Sequence, residues 1–494
     1  MKAINIMFDS LTKKYLSAYG NNWTKTPNFK RLAQKTVQFE RAYTGSMPCM
    51  PARREMHTGR YNFLHRSWGP LEPFDHSLPE LLMKKNIYSH CSTDHCHYWH
   101  DGGLTYLSRF SSYDMIRGQE GDWWKPQVEG FQHKWDIRRQ DRVNRLYVDD
   151  ERKHPHVRTF ESGMEFLRAN KNSDNWLLQL EYFDPHEPFT APKRFYEMYS
   201  LESDEHDWPK YASTQEQSIG IQRDARRHYA AALSMCDYYL GKVLDFLDEH
   251  NLWEDTMLIV NTDHGFLLGE HDFFGKNYMP TYQELCNIPL FIWDPRSKQK
   301  NQTRYSLVQT IDLMPTLLSY FGLDIPDEVM GKDLAEVIAN DRSVREAALF
   351  GYFGKHINVT DGRYVYMRSA QNSTNAPLYN YTLMPSHLFT PFSPEEIKLA
   401  DEALVSNFRY SQNTPMLRVN ANHDLFPNNS CYQFNQHLSW GDLCFDLQND
   451  PQQLQPIQNE EIKARMLSLM YQLMQEHESP DEQYKRLGLP YIKV

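Results

Sequence analysis

Cysteine is scarce in this chain: seven residues, Cys49, Cys91, Cys96, Cys236, Cys286, Cys431 and Cys444, are spread over 494 positions. They are too few and too scattered for a disulfide framework, and the odd number leaves at least one thiol free. Long apolar runs are missing as well. No segment approaches the roughly 18 uninterrupted apolar residues of a membrane span. The N-terminal MKAINIMFDS, broken by Asn5 and ended by Asp9, does not read as a signal peptide. A cytoplasmic protein with no membrane partner is therefore expected. Basic excess is absent too: 53 Lys and Arg stand against 64 Asp and Glu, for a formal net charge of −11. Nucleic acids and anionic membranes are bound by clustered cations that displace counterions, so neither is an expected partner. An anionic ligand must instead meet a local basic pocket.

What is present is the composition of a globular, enzyme-sized protein, with 40% hydrophobic and 24% charged residues. The length suits about two or three domains, or one large α/β domain with a smaller companion. AINIMF reads as a buried strand ending on Asp9, and TPNFKRLAQKT as a helix with Thr26 as cap and Pro27 in the first helical position. VQFERAYT reads as a strand. Then follow LPELLMKKN (helix), IYSHCST (strand), RTFESGMEFLRAN (helix), WLLQLEYFD (strand), a long amphipathic helix from RHYAAALS to LDEHN, and TMLIVNTDHG (strand). This alternation implies a mainly parallel sheet covered by helices. After about residue 340, ALFGYF, HINVTDGRYVYMRS and LCFDLQNDP read as short antiparallel strands, and EEIKARMLSLMYQLMQEH as a terminal helix. The expected architecture is a large mixed, mainly parallel sheet sandwiched by helices over residues 1–345. A smaller C-terminal α+β subdomain with a short antiparallel sheet takes residues 346–494. Within it, residues 379–415 show no clear sheet pattern and read as a substrate-side insertion.

Ligands of such sheets bind outside the carboxyl ends of the strands. The polar residues there are Asp9 and Ser10, Thr93-Asp94-His95, Asp184 to His186, and Asp263-His264. Each is also an ordinary strand-ending turn residue. His95-Cys96-His97 beside Cys91 offers metal-binding side chains, but no second ligand pair at zinc spacing follows, so it is not taken as a zinc site. Residues 98–140 are dense in Trp and Tyr, which either stack on sugar or aryl rings or form the core of an insertion.

The stretch GSMPCMPARREMHTGRYNF, residues 45–63, sets Cys49 between two prolines and four residues before Arg53. On chemistry alone Cys49 is either a small buried hydrophobe or a thiol activated by Arg53 and a helix N-terminus. A thiol nucleophile needs a histidine and an orienting group, and 21 histidines leave that choice open. Cys49-Met50-Pro51-Ala52-Arg53 followed by Thr58-Gly59-Arg60 resembles the C-x-P-x-R and TGR signature of the formylglycine-dependent sulfatases, in the alkaline phosphatase superfamily. FDS, TPNFKRLA, DPHEPF, NTDHGFLLGEHDFFGKN, IPLFIWDP, TIDLMPTLL and FDLQNDPQQLQPI follow the family's motif order, so the resemblance runs from residue 1 to about 480.

The resemblance implies that a formylglycine-generating enzyme, a transient partner, oxidises Cys49 to Cα-formylglycine. The hydrated aldehyde attacks sulfur with one oxygen and keeps a second hydroxyl to release the sulfate; Arg53 helps stabilise this residue. One divalent cation polarises the ester oxygens and lowers the pKa of the diol. The resemblance puts that cation on Asp9, Asp263 and His264 with Cys49, and Ser10 as a further contributor. Oxygen ligands favour Ca²⁺, and His264 leaves Mn²⁺ or Mg²⁺ as alternatives. Lys276 in GEHDFFGKN matches a lysine that binds the sulfate and the bridging oxygen. His186 in DPHEPF matches a histidine that binds the substrate anion or helps protonate the leaving group.

Two departures from the family pattern stand out. Ser10 replaces the second of two adjacent aspartates after the first strand. Thr93-Asp94-His95-Cys96-His97 replaces a G-K-W-H segment, so a lysine is absent and the histidine register is shifted. His95 is the candidate base, with His97 as the fallback and as a sugar-binding residue. The leading reading is a sulfuric ester hydrolase acting on a carbohydrate or small aryl or alkyl sulfate. The missing lysine raises the alternative of a phosphonate monoester or phosphodiester hydrolase with the same nucleophile. More remote are a non-catalytic anion- or glycan-binding protein and a conventional cysteine hydrolase.

Overall fold

Eight strands form the central sheet of the computed structural model. Their spatial order is Gln302–Arg304, Val37–Phe39, Phe291–Trp293, Thr256–Asn261, Lys2–Phe8, Trp176–Tyr182, Tyr88–Thr93 and Ser112–Met115. The structure describes residues 1–133, 135–398, 400, 401, 408–421 and 436–490. Lys2–Phe8 runs parallel to both neighbours, pairing Phe8 with Tyr182 and Met7 with Asn261. Among the described strands of this sheet, Phe291–Trp293 alone runs antiparallel to its neighbours, giving the mixed, mainly parallel sheet expected. Parallel strands are covered on both faces, which is why AINIMF is apolar almost throughout. Ile4, Ile6 and Phe8 pack with Leu240 and Leu244 of the helix Ile219–Glu249. Ala3 joins the opposite layer with Leu313 and Leu317.

Two local expectations change. VQFERAYT divides at Glu40-Arg41: Val37–Phe39 stays in the central sheet, and Ala42–Tyr43 pairs instead with Val308–Gln309. Pro27 does open the helix Pro27–Lys35, but the Thr26 side chain does not cap it. Thr26 Oγ1 instead accepts from the Ser17 amide at 2.9 Å. The cap comes from the long helix, where Asp237 accepts from the Asn28 and Phe29 amides at 3.1 and 2.8 Å. A distant carboxylate thus satisfies the free amides that a local side chain usually takes.

The second sheet runs Leu443–Asp446, Tyr364–Arg368, Ile357–Thr360, Ala348–Tyr352 and Ser46–Met47. Its last member comes from the first half of the chain and pairs in parallel, Gly351 with Ser46 and Tyr352 with Met47. The C-terminal sheet therefore grips the chain just ahead of Cys49. The helix Glu460–Glu476 covers it with Met466, Met470 and Met474, one stripe at four-residue spacing. The stretch 379–415 holds more sheet than its pattern suggested: Tyr379–Thr382 pairs with Leu417–Asn420, which also pairs with Ala400–Asp401. The strands are short and the central one lies beyond the stretch, so the alternation was too brief to read. Residues 399 and 402–407 of it lie outside the described residues. Cys431 does too, and the other six cysteines are free. Among the described residues, no helix is long and apolar enough to cross a membrane.

The helix Cys49–Thr58 ends at Gly59, whose φ of 66° places it in the left-handed region favouring glycine. A Cβ there would lie 2.7 Å from Val329 Cγ1. Arg54 and Arg60 both reach the buried Asp75, at 2.9 Å each, so the arginine of Thr58-Gly59-Arg60 anchors the helix end. Burial would raise the Asp75 pKa, but Arg54 and Arg60 outweigh it and hold the carboxyl below its ordinary value. A depressed carboxyl contributes stability that is complete above its unfolded pKa of about 4 and lost as pH falls through the folded value. Asp75→Asn should therefore cost about 3 kcal/mol at pH 7, with the gap to wild type closing in more acid solution. Urea unfolding at several pH values measures this; a gap that does not depend on pH would rule the ion pairs out as its source.

Candidate active site

The carboxyl ends of three adjacent strands, Lys2–Phe8, Trp176–Tyr182 and Thr256–Asn261, bring Asp9, Glu181 and Asp263 to one place. All three are buried, and one guanidinium meets them all. Arg53 Nη2 lies 3.0 Å from Asp9 Oδ2, Nε 2.7 Å from Glu181 Oε1, and Nη1 2.7 Å from Asp263 Oδ2. Nη1 also donates to the Cys49 carbonyl at 3.0 Å. Burial alone would strip the charge from Arg53, but Glu181, Asp9 and Asp263 raise its pKa well above the usual value. Tyr98 adds a hydrogen bond to Glu181 Oε2 at 3.0 Å.

Cys49 opens its helix, and the turn before it is pinned by Glu55, which accepts from the Gly45 and Ser46 amides at 2.8 and 2.6 Å. Burial raises the Glu55 pKa to about 8. Gly45 leaves the room this needs, since a Cβ would stand 2.6 Å from Glu55 Oε2. Cys49 Sγ lies 3.3 Å from His264 Nε2 and 3.6 Å from Lys276 Nζ. Burial, then Asp9, push the Cys49 thiol well up. The unmodified residue is therefore a neutral thiol near pH 7, a poor nucleophile, which disfavours a conventional cysteine hydrolase.

His264 Nδ1 donates to the Gly265 carbonyl at 2.9 Å, which leaves Nε2 as a lone pair facing Cys49. That is the second-sphere arrangement of metal-binding histidines. Asp9, Cys49, Asp263 and His264 each offer a donor atom, all within 4.8 Å of one another, and Asp9 Oδ2 is buried without a hydrogen bond. These residues fit a divalent cation. Ser10 sits at a φ of 60°, donates its hydroxyl to Asp9 Oδ1 at 2.8 Å and its amide to Asp263 Oδ1 at 3.1 Å. Its hydroxyl thus orients Asp9.

Lys276 Nζ reaches Ser10 Oγ at 3.3 Å and His186 Nε2 at 2.6 Å. His186 Nδ1 donates to the Glu187 carbonyl at 2.6 Å, so its Nε2 accepts from the lysine. Burial and Lys276 both keep His186 neutral. For Lys276 burial pulls the pKa down, but its acidic neighbours, Glu187 and Asp9 among them, outweigh it and raise it.

The remaining strand end separates. Asp94 accepts from the Phe183 amide at 2.8 Å and, through Gln119 Nε2 at 2.8 Å from each, faces Asp184. Burial and Asp184 raise its pKa, so Asp94 and Asp184 fasten two loops together. His95 is fully buried 3.7 Å from Asp9 Oδ2, with both ring nitrogens lacking hydrogen bonds. His97 instead lines a cavity of about 920 Å³, together with Cys49, His186, Lys276, Trp68, Trp123, Trp135, Trp208 and Phe389. The aromatic segment 98–140 therefore divides: Tyr98 and Tyr106 are core, whereas Trp123 and Trp135 border the cavity. Glu181 and Glu55 were not found from sequence. The available signal for Glu181 was a charged residue inside the otherwise apolar WLLQLEY.

Glu181→Ala should lower the unfolding free energy by about 3 kcal/mol or more by breaking a buried charge network, and Tyr98→Phe by about 1.5 kcal/mol. Urea unfolding of both variants tests the ranking; a Glu181→Ala cost no larger than that of a surface change would mean that Asp9 and Asp263 suffice to hold Arg53.

Comparison with known proteins identifies the family. The sulfatase family model matches residues 3–323, and that of the N-sulphoglucosamine sulphohydrolase C-terminal region matches 269–408. An arylsulfatase of Clostridium perfringens is 24% identical over 400 residues, covering 72% of this chain and 82% of its own. An N-acetylglucosamine-6-O-sulfatase of Bacteroides thetaiotaomicron is 23% identical over 421 residues, covering 71% and 74%. A solved structure in complex with its substrate, D-glucosamine-2-N,6-O-disulfate, superimposes with a TM-score of 0.66 at 15% identity, over 98% of this chain and 99% of that one. The chain belongs to the sulfatase family and is a sulfuric ester hydrolase.

Proposed function

We propose that the protein removes sulfate from a sulfated carbohydrate, using a formylglycine made from Cys49 and one divalent cation held by Asp9, Asp263 and His264. The observation that carries this reading is the cavity of about 920 Å³, which joins Cys49, His186 and Lys276 to four tryptophans. Its volume lies near the top of the ~300–1,000 Å³ range of small-molecule sites, and indole faces suit the apolar faces of sugar rings. The sulfated amino sugars named for the Bacteroides relative and for the solved complex support the same class. Both family models and both relatives name sulfatases, which favours sulfate over phosphonate or phosphodiester substrates.

When bound, the cation supplies charge stabilisation at the ester oxygens and lowers the pKa of the hydrated aldehyde. Two carboxylates support Ca²⁺, and the nitrogen of His264 supports Mn²⁺ or Mg²⁺ as substitutes. Arg53 fixes residue 49 through its carbonyl and, against the effect of burial, holds the Asp9 carboxyl below its ordinary pKa. Lys276, held as a cation against burial, stabilises the negative charge that grows on the sulfate and bridging oxygens. His186 orients Lys276; an anion bound beside it raises its proton affinity and allows it to protonate the leaving alkoxide. His95, buried, neutral and without hydrogen bonds, is the candidate base for the proton whose loss releases sulfate.

Peptide mass spectrometry across Cys49, on protein from its native host, should find the aldehyde in place of the thiol. Unmodified cysteine with the generating enzyme present would overturn the formylglycine reading. Cys49→Ala should abolish hydrolysis of an aryl sulfate with the fold intact. Lys276→Ala should lower kcat by about 10²–10³-fold; a change confined to KM would make Lys276 a ground-state binder.

A further inference from the structure

The cavity wall carries a second set of donor atoms, apart from those around Cys49. Cys96 Sγ lies 3.4 Å from Glu120 Oε2 and 3.8 Å from His97 Nδ1. The donor atoms of Cys96, His97 and Glu120 all lie within 4.8 Å of one another, and the three residues border the cavity. Cys96 and His97 are adjacent in the single turn Cys96–Trp99. Glu120 arrives from a separate loop, held in register because Trp99 Nε1 donates to Asp122 Oδ1 at 2.8 Å. His97 Nδ1 also faces His100 Nδ1 at 3.3 Å, so a further nitrogen stands at the same spot.

The two distances from the thiol are close to the edges of a coordination tetrahedron. Zinc binds sulfur at about 2.3 Å and nitrogen or oxygen at about 2.0–2.2 Å, which puts neighbouring ligands roughly 3.3–3.6 Å apart. The thiol-to-carboxylate and thiol-to-imidazole distances fall at or close to that range. The sequence pattern does not reveal this cluster. The His95 ring packs edge-on against His97 but its Nδ1 faces Asp9, Cys91 is buried in a strand, and the third ligand lies 24 residues beyond Cys96, outside any zinc spacing.

We propose that Cys96, His97 and Glu120 bind Zn²⁺ on the cavity wall, separately from the cation of Asp9, Asp263 and His264, with the fourth position turned towards the cavity. The chemistry distinguishes the two sites. A thiolate and an imidazole select a borderline-soft ion, whereas the carboxylates at the strand ends suit a hard one. A zinc ion with an open position in this wall offers a contact for an oxygen of the bound molecule.

Cobalt is the probe, because a thiolate ligand gives Co²⁺ a charge-transfer band and tetrahedral geometry gives it intense visible bands. The full chain carrying Cys49→Ser, stripped of metal, removes the thiol of the first site from the measurement. Titrated with Co²⁺, it should develop the thiolate band, and added Zn²⁺ should bleach it. Adding Cys96→Ser should abolish the band, and Glu120→Gln, which keeps the thiol, should alter the visible bands. Circular dichroism establishes that each variant is folded, and His97→Gln replaces Cys96→Ser should that variant misfold. A titration without the band, or a band that survives loss of the ligand, would overturn the proposal.

Discussion

One guanidinium decides whether this site can exist. Asp9, Glu181 and Asp263 are acidic side chains at the ends of three neighbouring strands, each withdrawn from water, and burying such groups together is costly without a cation among them. Arg53 supplies it, contacting all three carboxylates and the carbonyl of Cys49. The four-residue interval of C-x-P-x-R thereby acquires a physical meaning. It is one turn of helix, so the side chain at 53 folds back beneath the residue at 49 and carries its position into the central sheet.

The second sheet holds the same residue from the other side. Ser46–Met47 is an edge strand of the C-terminal sheet, and Glu55 fastens the turn that leads out of it. Tyr352, in the neighbouring strand, donates to the Lys276 carbonyl. Residue 49 and the lysine opposite it are thus positioned by both sheets at once. Loosening the C-terminal sheet would disturb the site without touching a reacting group.

Much of this was legible in the sequence, for a physical reason in each case. Parallel strands buried on both faces are apolar runs, so Lys2–Phe8 and Thr256–Asn261 read clearly, and their terminal polar residues followed. The motif residues Asp9, Ser10, Cys49, Arg53, His186, Asp263, His264 and Lys276 do come together. What escaped were interactions between distant segments. Asp237 caps a helix some 210 positions away, and Glu181 looked like one polar residue in a strand. Asp94 had the same appearance at a strand end as Asp9, yet it is tied through Gln119 to Asp184. The short pairing of Tyr379–Thr382 needed a partner beyond the stretch that contained it.

The two departures from the family pattern also bear on one another. Ser10 removes a negative charge where a second aspartate commonly stands, and the segment 93–97 removes a positive one where a lysine commonly stands. The net charge of the pocket is therefore unchanged. The geometry carries this further, because Lys276 donates to Ser10 Oγ at 3.3 Å while Ser10 donates to Asp9. A hydroxyl between them leaves the lysine less neutralised than a carboxylate would, so its charge remains available to an anion in the cavity. The missing lysine taken alone suggested a weaker anion pocket and a drift towards phosphodiesters. Taken with Ser10, it leaves Lys276 3.6 Å from Cys49 Sγ with no carboxylate at position 10 to neutralise it, so the loss of one cation is offset by the loss of one anion.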